Sequence, residues 1–245
     1  MSKKKTIAQL GKEHEEMVAS AINRHPNFVN TTIKATACGG SGHGSDVNVE
    51  KEGKKLFSIE AKTKKSNRLD FGQCDLAYHE KTGWYQKTEK GLANPVLRHA
   101  FSILKKEADK IVKGDIPSGE IPFYEQETRM LWENIEPDRR GRSIKSADVI
   151  KVPIPKDLLP KYYRDKGDSF LAVGEDFYSL SDKKEKTPSL SEAVKTCYAV
   201  LRIKNRESSK VVNPKRAYTM ALRTTWVKDH KSDIDTALWN ISLDY

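Results

Sequence analysis

A chain of 245 residues, 37% hydrophobic and 32% charged, is long enough to bury one large core or two smaller ones, and no apolar run approaches the roughly 20 residues a membrane-spanning helix needs. Lysine and arginine number 44 against 34 acidic residues, a formal charge of +10, which argues for a polyanionic partner held by salt-sensitive phosphate contacts and says nothing of fold. Three distant cysteines, Cys38, Cys74 and Cys197, exclude a disulfide framework or a zinc site, and the opening Met1-Ser2-Lys3-Lys4-Lys5 is no signal-peptide core, so a reducing cytoplasm is expected.

From Thr6 to about Arg24 the residues Ile7, Leu10, Met17, Val18, Ala21 and Ile22 fall near one helical stripe. Glu16 lies opposite that stripe, while Glu13 and Glu15 flank it, and the pattern does not choose between the two. Glu15 shares its side with Gly11, where the missing Cβ allows close approach. His25-Pro26-Asn27 ends the helix, and Phe28 to Ala37 has the β-branched content of a first strand. Gly39, Gly40, Gly42 and Gly44, with Ser41, His43 and Ser45, form a loop that lacks the lysine of a phosphate-cradling nucleotide motif.

A hairpin follows. Val47 and Val49 alternate with Asp46, Asn48 and Glu50; Lys51 to Lys55 turn the chain; Phe57, Ile59 and Ala61 then alternate with Ser58, Glu60 and Lys62. For both apolar sets to share a face, the connection must hold an odd number of residues, and that register sets Asp46 opposite Glu60. Opposed carboxylates repel. Two of them beside a lysine and a glycine-rich turn offer the oxygen ligands that a hard cation such as Mg²⁺ takes.

Beyond the hairpin, Lys64, Lys65 and Arg68 form a basic run, and Asp70-Phe71-Gly72-Gln73 is expected to start a helix. Lys81 to Gly91, with Trp84 and Tyr85, is expected as an exposed loop whose rings either pack or stack on bases. Asn94 as N-cap, Pro95 in the first turn and Gly114 past the end bracket a helix with a buried stripe of Leu97, Ala100, Phe101, Leu104, Ala108, Ile111 and Val112, leaving Lys105, Lys106, Lys110 and Lys113 largely toward solvent. Residues 115–147 look irregular, with Arg139, Arg140 and Arg142 as a second basic element. Strands are expected at Val149–Ile154, Phe170–Val173, Phe177–Leu180, Cys197–Lys204 and Ala217–Thr224, with a short helix at Leu158–Tyr163.

Asp46 followed by Glu60-Ala61-Lys62 at the end of the next strand resembles the PD-(D/E)xK nuclease signature, with Ser45 in place of the usual proline. The tripeptide alone is weak evidence, since Glu52-Gly53-Lys54, Asp182-Lys183-Lys184 and Asp229-His230-Lys231 also fit it. Context separates Glu60: an alternating strand, an acidic strand before it and a glycine-rich entry. Gly11-Lys12-Glu13-His14-Glu15 on the first helix is similar to the archaeal Holliday-junction resolvase branch, and type II restriction endonucleases share the signature.

The resemblance covers roughly a third of the chain. It implies an α/β fold with a restriction-endonuclease-like αβββαβ core, a mixed sheet flanked by helices, over residues 1–113, and a β-rich C-terminal extension over 114–245 packed on it. It implies a Mg²⁺-dependent DNA endonuclease, with Mn²⁺ as a substitute, that acts as a homodimer without a nucleotide cofactor or membrane, encoded by a prokaryote or virus. Asp46, Glu60, Glu15 and the Ala61 carbonyl would be the metal ligands. Ser41, Ser45, Lys64, Lys65, Arg68, Gln73, Arg139, Arg140 and Arg142 would contact DNA. Lys62 would stay protonated, since lysine titrates near about 10.4 and neighbouring carboxylates push that value up. The alternative is a non-catalytic nucleic-acid-binding protein on a degenerate nuclease fold.

Overall fold

The computed structural model describes residues 5–39, 44–63, 70–79, 83–86, 92–114, 146–181, 187–206, 215–227 and 230–241. They form a mixed α/β protein with two five-stranded sheets. Two compact units divide the chain, Met1–Leu69 with Leu159–Lys195 and Thr225–Tyr245 in the first, Asp70–Leu158 with Thr196–Thr224 in the second. The expected division near residue 113 gives way to a first unit that the chain leaves and re-enters. The reason is the all-apolar run Phe170–Val173, which joins the sheet of the Val47–Lys62 hairpin instead of a separate C-terminal extension.

The first unit opens with α1 (Ile7–Arg24), α2 (Pro26–Val29), β1 (Ile33–Ala37), β2 (Val47–Lys51) and β3 (Lys54–Lys62). The second holds β4 (Asp70–His79), β5 (Gly83–Gln86), α3 (Pro95–Gly114) and β6 (Ser146–Ile154). The chain returns to the first with α4 (Leu158–Asp165), β7 (Phe170–Val173), β8 (Asp176–Ser179) and α5 (Leu190–Ala193). Strands β9 (Val194–Arg206) and β10 (Lys215–Trp226) lie mainly in the second, and α6 (Ile234–Trp239) belongs to the first. Among the described residues no helix is long and apolar enough to cross a membrane.

In the first unit the sheet order is β1-β2-β3-β7-β8, antiparallel except for the parallel pair β3 and β7. Val18 and Ile22 of α1, Phe28 of α2 and Leu238 of α6 bury against Val47, Val49, Phe57, Ile59 and Phe170 on one face of that sheet. Helix α1 starts at a reciprocal cap in which Gln9 N–H donates to the Thr6 hydroxyl at 3.2 Å and Thr6 N–H donates to Gln9 Oε1 at 2.8 Å. Its buried face runs through His14, Val18 and Ile22, leaving Leu10 45% and Met17 39% exposed. The stripe expected through Leu10 and Met17 is therefore rotated toward the side that carries Glu15, because contact with the sheet outweighs the placement of single apolar residues. The strand expected from Phe28 begins later, since Pro26 under a His25 cap starts α2 and buries Phe28.

The hairpin has the expected register, Val47 opposite Ile59 and Val49 opposite Phe57. The odd offset comes from two devices together. Glu52 and Gly53 both have positive φ, 54° and 77°, as a two-residue type I′ turn requires. The register then slips between Val49 and Glu50, whose partners are Phe57 and Lys55, so that Leu56 is a bulge.

The second unit has sheet order β5-β4-β10-β9-β6. Asp70 to Gln73, expected to open a helix, instead begins β4, which pairs with β10 and β5 and buries Cys74 and Leu76 in strand alternation. Trp84 on β5 is 1% exposed and so serves packing, not stacking on bases. The Asn94 side chain accepts Leu97 N–H at 3.0 Å and caps α3 as expected, with Leu97, Ala100, Leu104 and Ala108 buried. Lys105 leaves the solvent face expected for it and donates to the Trp84 carbonyl at 2.9 Å.

Glu52 is the one described non-glycine residue with positive φ, a left-handed conformation that Asn tolerates better. Glu52→Asn is expected to raise the unfolding free energy by about 1 kcal/mol or less, read as a higher urea midpoint, with an unchanged circular dichroism spectrum. A lowered midpoint would contradict the turn geometry.

Candidate active site

The residues singled out in the hairpin meet at the C-terminal end of β3. Asp46 stands one residue before β2, in the register position facing Glu60, and its Oδ2 accepts the Ala61 N–H at 2.8 Å. A carboxylate thus takes the backbone donor that the end of β2 leaves over. Glu60 is 5% exposed. Lys62 Nζ donates to Glu60 Oε1, and Lys166 Nζ donates to Oε2 at 2.5 Å. Lys166 also lies 3.9 Å from Asp168 Oδ2.

Glu15 turns toward this group from α1. Its carboxylate feels the charges of Asp46, Glu60 and Lys62 and is held by the Gly39 N–H. A Cβ on Gly39, whose φ is +28°, would sit 3.1 Å from Glu15 Oε2, so a glycine at the mouth of the loop makes room for the glutamate. The other two glutamates look elsewhere: Glu13 pairs with Lys5 at 2.8 Å and Glu16 with Lys12 at 3.7 Å, all exposed. At Gly11, by contrast, an added Cβ would meet nothing within 4 Å, and no close approach explains that glycine. His14, one residue before Glu15, is buried with its Nε2 at 3.1 Å from the Lys62 carbonyl, which joins α1 to the end of β3.

Lys166 and Asp168 owe their places to the way α4 stops. Asp168 N–H donates to the Tyr163 carbonyl at 3.1 Å and Gly167 N–H to the Arg164 carbonyl at 2.8 Å, the paired bonds of a Schellman motif, with Gly167 at φ +92°. Lys166 is then the C-cap, and Asp168 is the second residue past it. The Ser58 hydroxyl donates to the Gly167 carbonyl at 2.7 Å and Ser169 N–H to the Ser58 carbonyl at 2.9 Å. The turn is tied to β3 two residues before Glu60.

Burial and charge pull these groups apart. For Glu60, burial would raise the pKa, but the Lys62 and Lys166 ammonium groups outweigh it and hold the carboxyl below its ordinary range. Lys166, which burial would lower, is raised by Glu60 and then by Asp168. Asp46 is raised by desolvation and then by Glu60, against the Ala61 N–H and the two lysines. Glu15 is raised by desolvation and then by Asp46 and Glu60. Asp168, 4% exposed, is raised by desolvation and by Glu60, with the Ser45 hydroxyl and Lys166 opposing. Neither of its oxygens has a well-formed hydrogen bond among the described residues.

Asp46, Glu60, Lys62 and Glu15 are thus brought together, with Ala61 supplying its N–H to Asp46. Ser45 lies beside Asp168. Gln73 sits on β4 in the second unit, opposite Ala221. Ser41, Lys64, Lys65, Arg68, Arg139, Arg140 and Arg142 lie outside the described residues. Lys166 and Asp168 have no role in the sequence reading, which ends a short helix at Tyr163 and assigns nothing to the residues between it and Phe170. The available signal was Gly167, a helix-stopping glycine between two charges just before an all-apolar strand.

Comparisons with protein-family models, curated proteins and solved structures find no match. Among the described residues no three His, Cys, Asp or Glu side chains stand close enough to hold a metal ion as they are. The residue types nevertheless suit a hard divalent cation. The acidic side chains are all carboxylates, Glu15 Oε2 is buried without a well-formed hydrogen bond among the described residues, and Glu15 and Asp46 are raised first by desolvation and then by their acidic neighbours, both of which a bound cation offsets. Its entry would exchange at least one lysine contact at Glu60.

The opposite shifts carry opposite stability effects. A raised carboxyl binds its proton more tightly folded than unfolded, so Asp46 costs stability once pH exceeds the ordinary carboxylate range. Lowered Glu60 contributes stability that is present above that range and is lost as pH falls through its folded pKa. In EDTA at pH 7, Asp46→Asn is expected to stabilise the chain by on the order of 1 kcal/mol and Glu60→Gln to destabilise it. Urea unfolding with both variants checks the pair of signs; equal signs would contradict this electrostatic picture.

Proposed function

We propose that the chain is a divalent-metal-dependent DNA endonuclease of the PD-(D/E)xK type. The observation that carries the reading is the convergence at one end of β3 of Asp46, Glu60 and Lys62 from the hairpin with Glu15, the carboxylate that the resemblance implies. The order of elements supports it too: α1, three antiparallel strands, then α4 and the parallel strand β7 follow the αβββαβ arrangement the signature implies. Here the last two elements come after a long second unit, not directly after the hairpin.

In this reading Asp46, Glu60 and Glu15, with the Ala61 carbonyl, hold Mg²⁺ or Mn²⁺. Such an ion, when bound, supplies Lewis-acid activation of water and neutralises charge on phosphate oxygens. Asp46 is oriented by the Ala61 N–H, so one oxygen is fixed and the other is left for a ligand. Glu60 is buried, which excludes water and strengthens its interaction with any cation. Lys62, 27% exposed in its side chain, is placed to meet the solvent side and to stabilise negative charge that develops on a phosphate. The net charge of +10 supplies the attraction for the polyanion.

Substrate choice divides between a branched structure, as for a resolvase, and a sequence, as for a restriction enzyme, with a homodimer in either case. The second reading, a DNA-binding protein without catalysis, is favoured by one observation: both Glu60 oxygens already have ammonium partners and no preformed cluster of three metal donors exists among the described residues.

Incubation of plasmid, linear and four-way-junction DNA with Mg²⁺, with and without EDTA, separates the readings. The nuclease reading expects cleavage that EDTA abolishes. Lys62→Ala is expected to retain DNA binding within about threefold and to lose cleavage by about 10²-fold or more. Binding without cleavage under Mg²⁺ and Mn²⁺ selects the second reading, and normal cutting by Lys62→Ala removes the role given to that residue.

A further inference from the structure

Resting on the metal-dependent reading, we propose that Lys166 is a resident cation that occupies the place of a second metal, so that the site takes a single divalent ion. The argument begins with charge. Glu15, Asp46, Glu60 and Asp168 act on one another, and their field is countered by Lys62 and Lys166. Four carboxylates and two ammonium groups leave a formal excess of two negative charges, the charge of one divalent ion. Two such ions would overshoot it.

Geometry agrees. A two-metal site places its ions about 3.5–4 Å apart, which calls for a carboxylate whose two oxygens face different ions. Glu60 is the carboxylate at the centre of this group, and its oxygens face two different cations already, Lys62 at Oε1 and Lys166 at Oε2. The two lysines are not equivalent. Lys62 ends a strand, whereas the backbone of Lys166 is fixed by the Schellman turn after α4, which Ser58 ties to β3. Its side chain is 24% exposed, and it stands between Glu60 and the buried Asp168. Asp168 is the fourth carboxylate that a second ion would recruit, and 3.9 Å away it has an ammonium group in that ion's place. Lys166 is thus a positioning residue for Glu60 and a limit on how much metal the site accepts.

Binding counts decide this without reference to cleavage. The full chain, free of DNA, is titrated with Mn²⁺ and the free ion is followed by electron paramagnetic resonance. Wild type is expected to bind one Mn²⁺ per chain, lost in Asp46→Asn. Lys166→Met is expected to take up a second Mn²⁺, or to bind the first roughly tenfold more tightly once a neighbouring positive charge is gone. Lys166→Arg keeps the charge and should bind one. Two ions of comparable affinity in wild type overturn the proposal and leave the nuclease reading standing. No bound Mn²⁺ in the folded wild type overturns both. Lys166→Met with the number and affinity of wild type, within twofold, overturns the proposal alone. Should Lys166→Met not fold, the wild-type count still decides between one and two.

Discussion

Mutual repulsion among carboxylates is the constraint around which the first unit is built. Asp46 and Glu60 face each other across the hairpin because the apolar residues Val47, Val49, Phe57 and Ile59 fix the register and give the charges no choice. Glu15 is carried to the same place by α1, whose rotation is set by Val18 and Ile22. Two ammonium groups on Glu60 make this tolerable, and only for Glu60, whose pKa they hold down. Asp46 and Glu15 stay raised, first by desolvation and then by their acidic neighbours, with the lysines only partly opposing, on an otherwise consistent fold. Local conflict inside globally consistent packing is where function is expected to sit.

The counter-charges are supplied by two independent routes. Lys62 comes from the strand that carries Glu60, where an alternation of two residues puts both on one face. Lys166 comes from the far side of the second unit in sequence, and its position depends on a helix stop, a glycine with positive φ and a serine bonded to that glycine's carbonyl. Parallel pairing of β7 with β3 is what makes the second route work, since it needs a crossover and the crossover ends in α4. Both backbones are held: the Lys62 carbonyl accepts Gly174 N–H at 2.8 Å and lies 3.1 Å from His14 Nε2, and the Lys166 turn is tied to Ser58.

What was legible in the sequence follows from which interactions are local. Hairpin register, the alternation of Glu60 with Ile59, the N-cap of α3 and the run of β7 all depend on near neighbours, and all appear where the pattern puts them. Two readings failed because tertiary contact decided them. Asp70 to Gln73 has helix-start residues but pairs with β10, and Leu10 with Met17 looks like core but faces solvent once the sheet chooses the other side of α1. Lys166 and Asp168 were invisible for a third reason. Their meaning comes from a partner roughly a hundred residues earlier, and no spacing rule connects Lys-Gly-Asp to Glu-Ala-Lys.

The same contrast explains why a bare (D/E)xK is weak evidence while its setting is strong. Glu52-Gly53-Lys54 has the right residues, yet Glu52 and Gly53 are the two turn positions, their φ values are positive and their side chains are exposed. A carboxylate there is exposed to solvent and gives up little hydration. Glu60 lies four residues past the bulge on the same hairpin and is buried, so that desolvation makes every neighbouring charge count. The chemistry of the candidate site therefore depends less on which residues are present than on burial, which turns a carboxylate beside a lysine from a common surface pair into a group that must be balanced, by an ammonium, a proton or a metal ion.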